Sequence, residues 1–243
     1  MSVLVLGGTA EARALAARLV ADGVDVLSSL AGRVSQPALP VGRVRVGGFG
    51  GVEGLATFLV EHHVTAVVDA THPFAARISA NAAAACAVTG TPLLRLARPG
   101  WSEHPDAGRW TWVDGVEGVL AVPGERPFLT TGRQGLAAFL PWADRSVLVR
   151  VVDPPDLDLP PAWRVVRSRG PYALDGERAL LAEHRADLLV TKDSGGTHTE
   201  AKLDAARELG VPVVVVRRPS APADVPAVGE VGDAVAWVRT AAG

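Results

Sequence analysis

Short apolar strands in this chain repeatedly run straight into a small polar turn and then into a helix. The three clearest cases are residues 3–6 with Gly7-Gly8-Thr9, residues 66–69 with Ala70-Thr71-His72-Pro73-Phe74, and residues 188–190 with Thr191-Lys192-Asp193-Ser194-Gly195-Gly196. Open parallel sheets bind ligands at the carboxyl ends of their strands, where helix N-termini offer free amides and a positive dipole. The pattern therefore predicts an anionic ligand near the start of the chain and a second functional edge late in it.

The composition is that of a globular protein that can bury a sizeable core. Hydrophobic residues make up 48% and charged residues 21% of the 243 positions. The net charge of −2 argues against a general affinity for nucleic acid or for a membrane surface. Cys86 is the single cysteine, Met1-Ser2 leads directly into the first strand, and no apolar run approaches the ~20 residues of a membrane span. We therefore expect a cytoplasmic protein that is a monomer.

Strands and helices alternate along the chain, which predicts an α/β fold with parallel sheets. In the first hundred residues we expect strands at 3–6, 24–30, 44–47, 66–69 and 92–97, and helices at 10–22, 52–61 and 73–88. Segment 98–108 is rich in proline, glycine and polar residues and is the candidate hinge. Beyond it we expect strands at 128–130, 147–152, 164–167, 188–191 and 213–216, and helices at 136–140, 174–184, 199–209 and 233–240. The prediction is two Rossmann-like lobes with an interlobe cleft, as domains 1–100 and 101–243.

The first glycine turn and the end of the second strand together favour NADPH. Gly7 and Gly8 let the backbone turn tightly and approach a diphosphate, and Thr9 can cap the following helix. This is only part of the dinucleotide fingerprint, so a merely tight turn is the alternative. Enzymes that use the unphosphorylated cofactor place an acidic residue after the second strand, whereas Ser29 and Arg33 stand in that region here. Hydroxyls and an arginine suit a 2′-phosphate, although Arg33 can also be an ordinary loop charge.

Two more turns of the first half are candidates for cofactor contacts. The third strand ends in Gly47-Gly48-Phe49-Gly50-Gly51, a loop that can lie flat against a ring such as adenine or can place Phe49 in the core. The run Thr71-His72-Pro73-Phe74 falls where the nicotinamide half would lie. A histidine there is more often a structural hydrogen-bonding residue than a proton donor, so we assign His72 no catalytic role.

The second half carries basic glycine turns that suit a polyanionic substrate. Thr130-Thr131-Gly132-Arg133 repeats the strand–glycine–helix pattern, and Arg133 beside helix amides would hold a carboxylate. Of the 24 basic residues only Lys192 and Lys202 are lysines, and both belong to the third turn and its helix. Because an ammonium and a guanidinium are not interchangeable, these lysines are candidates for a chemical role, with coincidence as the alternative. Further cations that could line a cleft are Arg77, Arg95, Arg98, Arg167, Arg169, Arg217 and Arg218.

Other common types of site are not indicated. The six histidines are scattered along the chain, and one cysteine cannot form a thiolate metal site. The sequence has neither a Gly-x-Ser-x-Gly elbow nor a Walker loop. We therefore expect no metal.

Taken in order, these turns resemble those of the precorrin-6A reductases of cobalamin biosynthesis, and the resemblance runs from residue 3 to about residue 219. The motifs that carry it are Gly7-Gly8-Thr9-Ala10-Glu11-Ala12-Arg13, Ser29-Leu30-Ala31-Gly32-Arg33, Gly47-Gly48-Phe49-Gly50, Asp69-Ala70-Thr71-His72-Pro73-Phe74-Ala75, Arg98-Pro99-Gly100-Trp101, Thr130-Thr131-Gly132 and Thr191-Lys192-Asp193-Ser194-Gly195-Gly196. The run 69–75 and the combination in order are more specific than any single glycine loop. The resemblance implies an enzyme that uses NADPH to reduce a ring double bond of precorrin-6A, a tetrapyrrole with many acetate and propionate groups, to precorrin-6B.

The resemblance also implies a division of roles among the residues. The cofactor would lie against Gly7, Gly8, Thr9, Ser29, Arg33, Gly48, Phe49, Thr71, His72, Pro73 and Phe74. The anionic tetrapyrrole would lie against Arg98, Thr131, Gly132, Arg133, Tyr172, Ser194, Gly195 and Lys202. A hydride passes to a ring carbon and a proton reaches its neighbour. Lys192 and Asp193 are the catalytic candidates, with Tyr172 or a bound water as other proton donors.

Three alternatives stay open. A cobalt-precorrin-6A reductase would share these motifs. A non-catalytic NADP-binding sensor would bind the dinucleotide but would not need the anion-binding turns at Thr131 and Lys192. A short reductase of small carbonyls often shows a Tyr-x-x-x-Lys pair, but Gly176 stands four residues after Tyr172.

Overall fold

The computed structural model describes residues 2–32, 38–196 and 199–241, and the chain divides into two compact units. The first unit comprises residues 1–99 and 219–243, and the second comprises residues 100–218. The described residues give each unit one sheet of six parallel strands with helices packed against it. This architecture confirms the predicted α/β class with two Rossmann-like units.

The sheet of the first unit is built from near-continuous apolar strands. Its strands are β1 (Ser2–Leu6), β2 (Asp25–Leu30), β3 (Arg43–Val46), β4 (Ala66–Asp69), β5 (Leu93–Leu96) and, near the end of the chain, β12 (Ala227–Val228). They lie in the order β12-β5-β4-β1-β2-β3, and all neighbours are parallel. The central strands β1 and β4 are buried along most of their length because helices cover both faces of the sheet.

Within the described residues, four helices cover the first sheet, two on each face. They are α1 (Ala10–Ala21), α2 (Gly51–Glu61), α3 (Ala76–Thr89) and α7 (Val231–Ala241). Helices α1 and α7 bury Leu15, Leu19 and Val238 in one apolar cluster, and α2 buries Leu55 and Leu59 in the other. Helix α3 begins later than the predicted residue 73, because a turn closed by a hydrogen bond from Ala75 N–H to the His72 carbonyl (2.7 Å) precedes it.

The second unit repeats this design with its own core. Its strands are β6 (Thr111–Val113), β7 (Pro127–Leu129), β8 (Leu148–Val151), β9 (Arg164–Arg167), β10 (Leu188–Lys192) and β11 (Val213–Val216), and its α-helices are α4 (Val116–Leu120), α5 (Leu174–His184) and α6 (Ala201–Glu208). The strand order is β6-β11-β10-β7-β8-β9, again all parallel. Phe128, Leu148 and Leu189 form the fully buried centre.

Two local features of the second unit differ from the prediction. The expected helix 136–140 lies within a 3-10 helix, Arg133–Trp142, which contains Gly135 and Pro141, both poor residues for an α-helix interior. Strand β6 and helix α4 were not predicted from the sequence. No helix in the described ranges has the length and apolar character needed to cross a membrane.

The end of the chain returns to the first unit, which differs from the predicted second domain 101–243. Strand β12 pairs with β5, and the Arg95 N–H and the Ala97 N–H donate to the carbonyls of Pro226 and Val228, each at 2.9 Å. Helix α7 then packs on α1, and Val238 is completely buried there. The second unit therefore ends at Arg218.

Candidate active site

The glycine turn after β1 is joined to the ends of β2 and β4. Gly7 N–H donates to the Ser29 carbonyl (2.9 Å). Thr9 caps α1 by accepting from Ala12 N–H (3.0 Å), and its hydroxyl donates to the Ala70 carbonyl (2.8 Å). Both hydrogen-bonding roles of the Thr9 hydroxyl are therefore used within the protein, so this side chain fixes the shape of the turn.

The same turn has the backbone and charge of an anion site. Gly8 is exposed and has a φ of 116°, a conformation that residues with side chains rarely adopt. A small pocket beside Gly7 and Gly8 is lined in part by Arg13 of α1 and Ser28 of β2. A glycine turn at a helix N-terminus with a nearby arginine suits a diphosphate.

A half-buried arginine that the sequence did not single out, Arg45 of β3, lies at this edge. Its guanidinium donates to the Ser29 hydroxyl (2.9 Å) and to the carbonyls of Gly47 and Gly48 (3.0 Å each). Ser29 and Arg45 are register partners on neighbouring strands, which is why their side chains meet. Burial lowers the pKa of Arg45.

Phe49 is packed within the protein. The Arg45 guanidinium lies 3.8 Å from the centre of the Phe49 ring, and the Phe58 ring meets it edge to face at 5.1 Å. Phe49 also packs against the apolar cluster under α2 and α3. Of the two roles considered for this loop, the core role of Phe49 agrees with these contacts, and its contact with a cofactor stays a prediction.

The turn after β4 is organised by a buried carboxylate. Asp69 accepts from the Thr71 amide (3.1 Å) and the Thr71 hydroxyl (2.6 Å), and it pairs with Arg95 at 3.3 Å. His72 Nδ1 accepts from the Phe74 amide (3.2 Å), which ties the ring to the backbone of the turn.

Arg98, predicted to bind substrate, is held in the first unit. It follows β5 and pairs with Glu11 in the first turn of α1 at 2.7 Å, with both side chains mostly buried. This ion pair partly neutralises the Arg98 charge and places the Arg98 side chain beside the glycine turn after β1.

In the second unit, the turn after β10 is built around the Asp193 carboxylate. Oδ1 accepts from the Trp101 amide at 2.8 Å, and Oδ2 lies 3.4 Å from Arg218 Nε. Arg218 Nε also donates to the Asp193 carbonyl at 2.9 Å. A Cβ added to Gly100 would come within 2.8 Å of this carboxylate, so a larger residue there would force the carboxylate to shift. These contacts hold the Asp193 side chain in the turn, and its predicted catalytic role stays a prediction.

Lys192 and the glycines beyond it form the open part of this turn. Lys192 is the last residue of β10, and burial lowers its pKa. The Ser194 amide donates to the Lys192 carbonyl at 2.7 Å, and Gly195 and Gly196 have φ values of 64° and 76°. The backbone thus turns sharply just after the lysine, as the glycine pattern predicted.

The turn that follows β7 lies at the same sheet edge as the turn that follows β11, with β10 between the two strands. Thr131 is buried, and its hydroxyl makes no hydrogen bond to any described residue. Gly132 has a φ of 80°, and Arg133 donates to the Pro154 carbonyl (3.1 Å) and lies 3.8 Å from Asp156. The unsatisfied Thr131 hydroxyl is a group that a ligand can complete.

Lys202, predicted to contact substrate, is instead an internal residue with only 3% of its surface exposed. Its ammonium donates to the Thr199 carbonyl (2.5 Å) and lies 4.6 Å from the centre of the Trp101 ring. Burial lowers its pKa to about 7, and the positive charge of Arg150 acts in the same direction. Helix α6 directs this side chain into the core, and its predicted contact with substrate stays a prediction.

Tyr172 belongs to a polar cluster beside Lys202. The Arg150 guanidinium lies 3.8 Å from the centre of the Tyr172 ring and forms a buried ion pair with Glu177. The Tyr172 hydroxyl donates to the Ser168 carbonyl at 3.2 Å. The phenol is thus anchored to the strand end after β9.

Metal chemistry finds no support in the described part of the chain. Among residues 2–32, 38–196 and 199–241, no group of three or more histidine, cysteine, aspartate or glutamate side chains could hold an ion. Cys86 is buried, and burial raises its pKa to about 11, which keeps it an unreactive thiol.

The chain matches a known protein family over nearly its full length. Residues 2–239 match the family model described as precorrin-6x reductase CbiJ/CobK. The chain belongs to the precorrin-6x reductase family. Membership identifies an oxidoreductase of cobalamin biosynthesis.

Relatives and a solved structure of the precorrin-6x reductase family resemble the chain over nearly its full length. It is 52% identical over 241 residues to the precorrin-6A reductase of Rhodococcus erythropolis, covering 98% of this chain and 97% of that one. It is 53% identical over 237 residues to that of Mycobacterium tuberculosis, covering 97% and 96%. A solved structure titled CobK precorrin-6A reductase superposes with a TM-score of 0.91 at 42% identity and covers 99% of this chain and 97% of that one.

Within this reductase family fold, the predicted cofactor residues of the described chain gather at one sheet edge of the first unit. Arg33 lies outside the described residues, and its role stays a prediction. Sequence reasoning missed Arg45 and the Asp193–Arg218 pair. The only sequence signal for Arg45 is the alternating Arg-Val-Arg-Val strand that runs directly into four glycines around Phe49.

Proposed function

We propose that the protein is an NADPH-dependent precorrin-6A reductase that forms precorrin-6B. The observation that carries the proposal is the family match over residues 2–239. The geometry supports it, because each unit gathers its glycine turns at the carboxyl edge of a parallel sheet, as dinucleotide and anion sites require. The first unit then binds the cofactor and the second binds carboxylates of the tetrapyrrole.

The residues of the first unit fit a phosphorylated dinucleotide. The exposed, positive-φ Gly8 beside Arg13 suits a diphosphate, and no acidic side chain follows β2 within the described residues up to Gly32. Gly7, Gly8 and Thr9 would hold the diphosphate, Ser29 would face the adenosine ribose, and Thr71 to Phe74 would flank the nicotinamide. When bound, the reduced nicotinamide supplies the hydride.

Lys192 is the proton donor in this proposal. Asp193 is occupied by the Trp101 amide and by Arg218, and the Tyr172 hydroxyl donates to the Ser168 carbonyl. Lys192 ends its strand at the same edge, and its lowered pKa makes the ammonium a better acid near neutral pH than an exposed lysine. Its proton would reach the ring carbon next to the one that accepts hydride.

The second unit supplies groups for the carboxylates of the macrocycle. The buried Thr131 hydroxyl lacks a partner among the described residues, and the Gly132 and Gly195 turns lie at neighbouring strand ends. Arg133 and Ser194 stand beside these turns. Backbone amides with a nearby guanidinium are a good match for propionate and acetate groups.

A cobalt-free substrate is favoured over cobalt-precorrin-6A by the pattern of identities. Relatives named precorrin-6A reductase are 44–53% identical to this chain. Those named cobalt-precorrin-6A reductase are 30–33% identical.

The test is to mix purified protein, NADPH and precorrin-6A and to follow nicotinamide absorbance and product mass. We expect NADPH oxidation with a product heavier by two hydrogens, and slower turnover with cobalt-precorrin-6A. NADPH binding without oxidation in the presence of either substrate would instead identify a non-catalytic NADP-binding protein.

A further inference from the structure

Arg45 is a cation whose described partners are all neutral. Its guanidinium donates to the Ser29 hydroxyl and to the carbonyls of Gly47 and Gly48, and it stacks on Phe49. No carboxylate in the described ranges pairs with it, whereas Arg43, two residues earlier on β3, lies 3.4 Å from Asp25. A half-buried charge without a counterion is costly, which makes this position ready for an anion.

The hydrogen-bonding capacity of Arg45 and of the Ser29 hydroxyl is only partly used. A guanidinium has five N–H donors, and the three hydrogen bonds above leave two of them. The Ser29 hydroxyl accepts from Arg45, so its own hydrogen can be donated elsewhere. The side chains are fixed by strand register and by the Phe49 and Phe58 rings, so these donors are held in place before a ligand arrives.

The position of the pair indicates which anion it meets. The carbonyl of the same Ser29 accepts from Gly7 N–H, so the pair is joined directly to the glycine turn that would hold the diphosphate. In sheets of this type the adenosine ribose lies at the end of the second strand, next to the diphosphate turn. The anion within reach of that strand end is a phosphate on the ribose 2′-oxygen.

We propose that Arg45, with the Ser29 hydroxyl, binds the 2′-phosphate of NADPH and is a residue that selects NADPH over NADH. This inference rests on the proposed function, because it needs the dinucleotide at the first glycine turn. It assigns the discriminating charge to a residue of β3, separate from Arg33.

The competing role for Arg45 is purely structural. Through the Gly47 and Gly48 carbonyls it fastens the glycine loop, so its loss could disturb any nucleotide at this edge. If Arg45 only holds the loop, its substitution weakens the binding of NADP⁺ and NAD⁺ alike. If Arg45 binds the 2′-phosphate, its substitution weakens the binding of NADP⁺ alone. The ratio of the two affinities separates these roles.

The experiment measures dissociation constants by calorimetry for NADP⁺, NAD⁺ and adenosine 2′,5′-bisphosphate with wild type, Arg45→Gln and Arg45→Lys. We expect Arg45→Gln to weaken NADP⁺ and the bisphosphate about 10- to 100-fold, as for a lost charge-assisted hydrogen bond, and NAD⁺ less than about threefold. Arg45→Lys, which keeps the charge, should recover part of the loss. The matched control is Arg43→Gln, an exposed arginine of the same strand, which should change none of these constants.

Each outcome decides one question. Equal weakening of NADP⁺ and NAD⁺ by Arg45→Gln, with an unchanged thermal midpoint, overturns the inference and leaves the proposed function intact. Wild-type protein that binds none of the three nucleotides overturns the proposed function and the inference with it. Selective loss of NADP⁺ and of the bisphosphate supports both.

Discussion

The two lysines of the chain lie ten residues apart in sequence yet occupy different environments. Lys192 ends β10 and is partly exposed, and burial lowers its pKa. Lys202 is enclosed by Trp101, the Thr199 carbonyl and the Arg150–Glu177 pair. The sequence analysis proposed a chemical role for both, and in the structure Lys192 is the more accessible of the two.

For Lys192 we expect Lys192→Met to lower kcat about 100-fold or more, because a general acid contributes about that much. The Kd of NADP⁺ should not change, since the lysine belongs to the second unit. In the wild type, kcat should fall on the alkaline side at a pH below the usual pKa of lysine, because the ammonium loses its proton there. Arg164→Met, at the amino end of β9 and paired with Glu183, is the control and should keep full activity. Unchanged kcat in Lys192→Met would remove the lysine from the mechanism.

For Lys202 the sign of the pH effect follows from its pKa of about 7 in the folded protein. Between pH 7 and the higher pKa of an unfolded lysine, the unfolded chain binds more protons, so stability rises with pH. We expect the difference in unfolding free energy, wild type minus Lys202→Met, to be flat below pH 7 and then to grow by about 1.4 kcal/mol per pH unit. Denaturant titrations at pH 6 to 9 measure it, and a difference that is constant over this range would mean that the ammonium stays charged.

At the scale of elements, the turn between β10 and α6 depends on Asp193 binding two distant segments. Its carboxylate holds the Trp101 amide and Arg218, which are the second and the last residues of the second unit. Asp193→Asn should lower the unfolding free energy by about 1.5–3 kcal/mol, since a buried charge-assisted contact is lost. Denaturant titration with the second unit's tryptophans as the probe measures this change.

The neighbouring pair of Arg217 and Asp114 provides the control for Asp193. Asp114 is 94% exposed and lies 3.4 Å from Arg217 Nε. Asp114→Asn should cost less than about 1 kcal/mol, because exposed ion pairs contribute little. Equal losses in the two variants would show that the Asp193 contacts are no stronger than a surface pair.

Elements whose apolar runs and end signals are local were predictable from the sequence. The predicted spans 66–69, 164–167, 174–184 and 213–216 coincide with β4, β9, α5 and β11. Strand β12 was missed because its two residues carry no periodicity, and only pairing with β5 makes them a strand. The glycine turns were predictable for the same local reason. The position of Arg45 beside Ser29, by contrast, results from the register of β2 and β3, which no local pattern encodes.

At the scale of the whole molecule, the first unit is discontinuous and the second is continuous. Residues 1–99 lack β12 and α7, which are supplied by the segment 219–243. That segment buries Ala234, Val235 and Val238 against α1 and the sheet. Burying one valine contributes about 1.5–3 kcal/mol, so losing two costs about 3–6 kcal/mol, which reaches the lower end of the ~5–15 kcal/mol net stability of a domain.

We therefore expect the fragment 100–218 to unfold cooperatively on its own and the fragment 1–99 not to do so. Joining 1–99 to 219–243 through a flexible linker should restore cooperative unfolding, because the missing strand and helix complete the sheet and its cover. In this joined unit, Val238→Ala should lower the unfolding free energy by about 1–3 kcal/mol. Chemical denaturation followed by circular dichroism measures all of these proteins. If 1–99 alone unfolded with the midpoint of the joined unit, the final segment would contribute nothing to the first unit, and the burial of Val238 would have no energetic consequence.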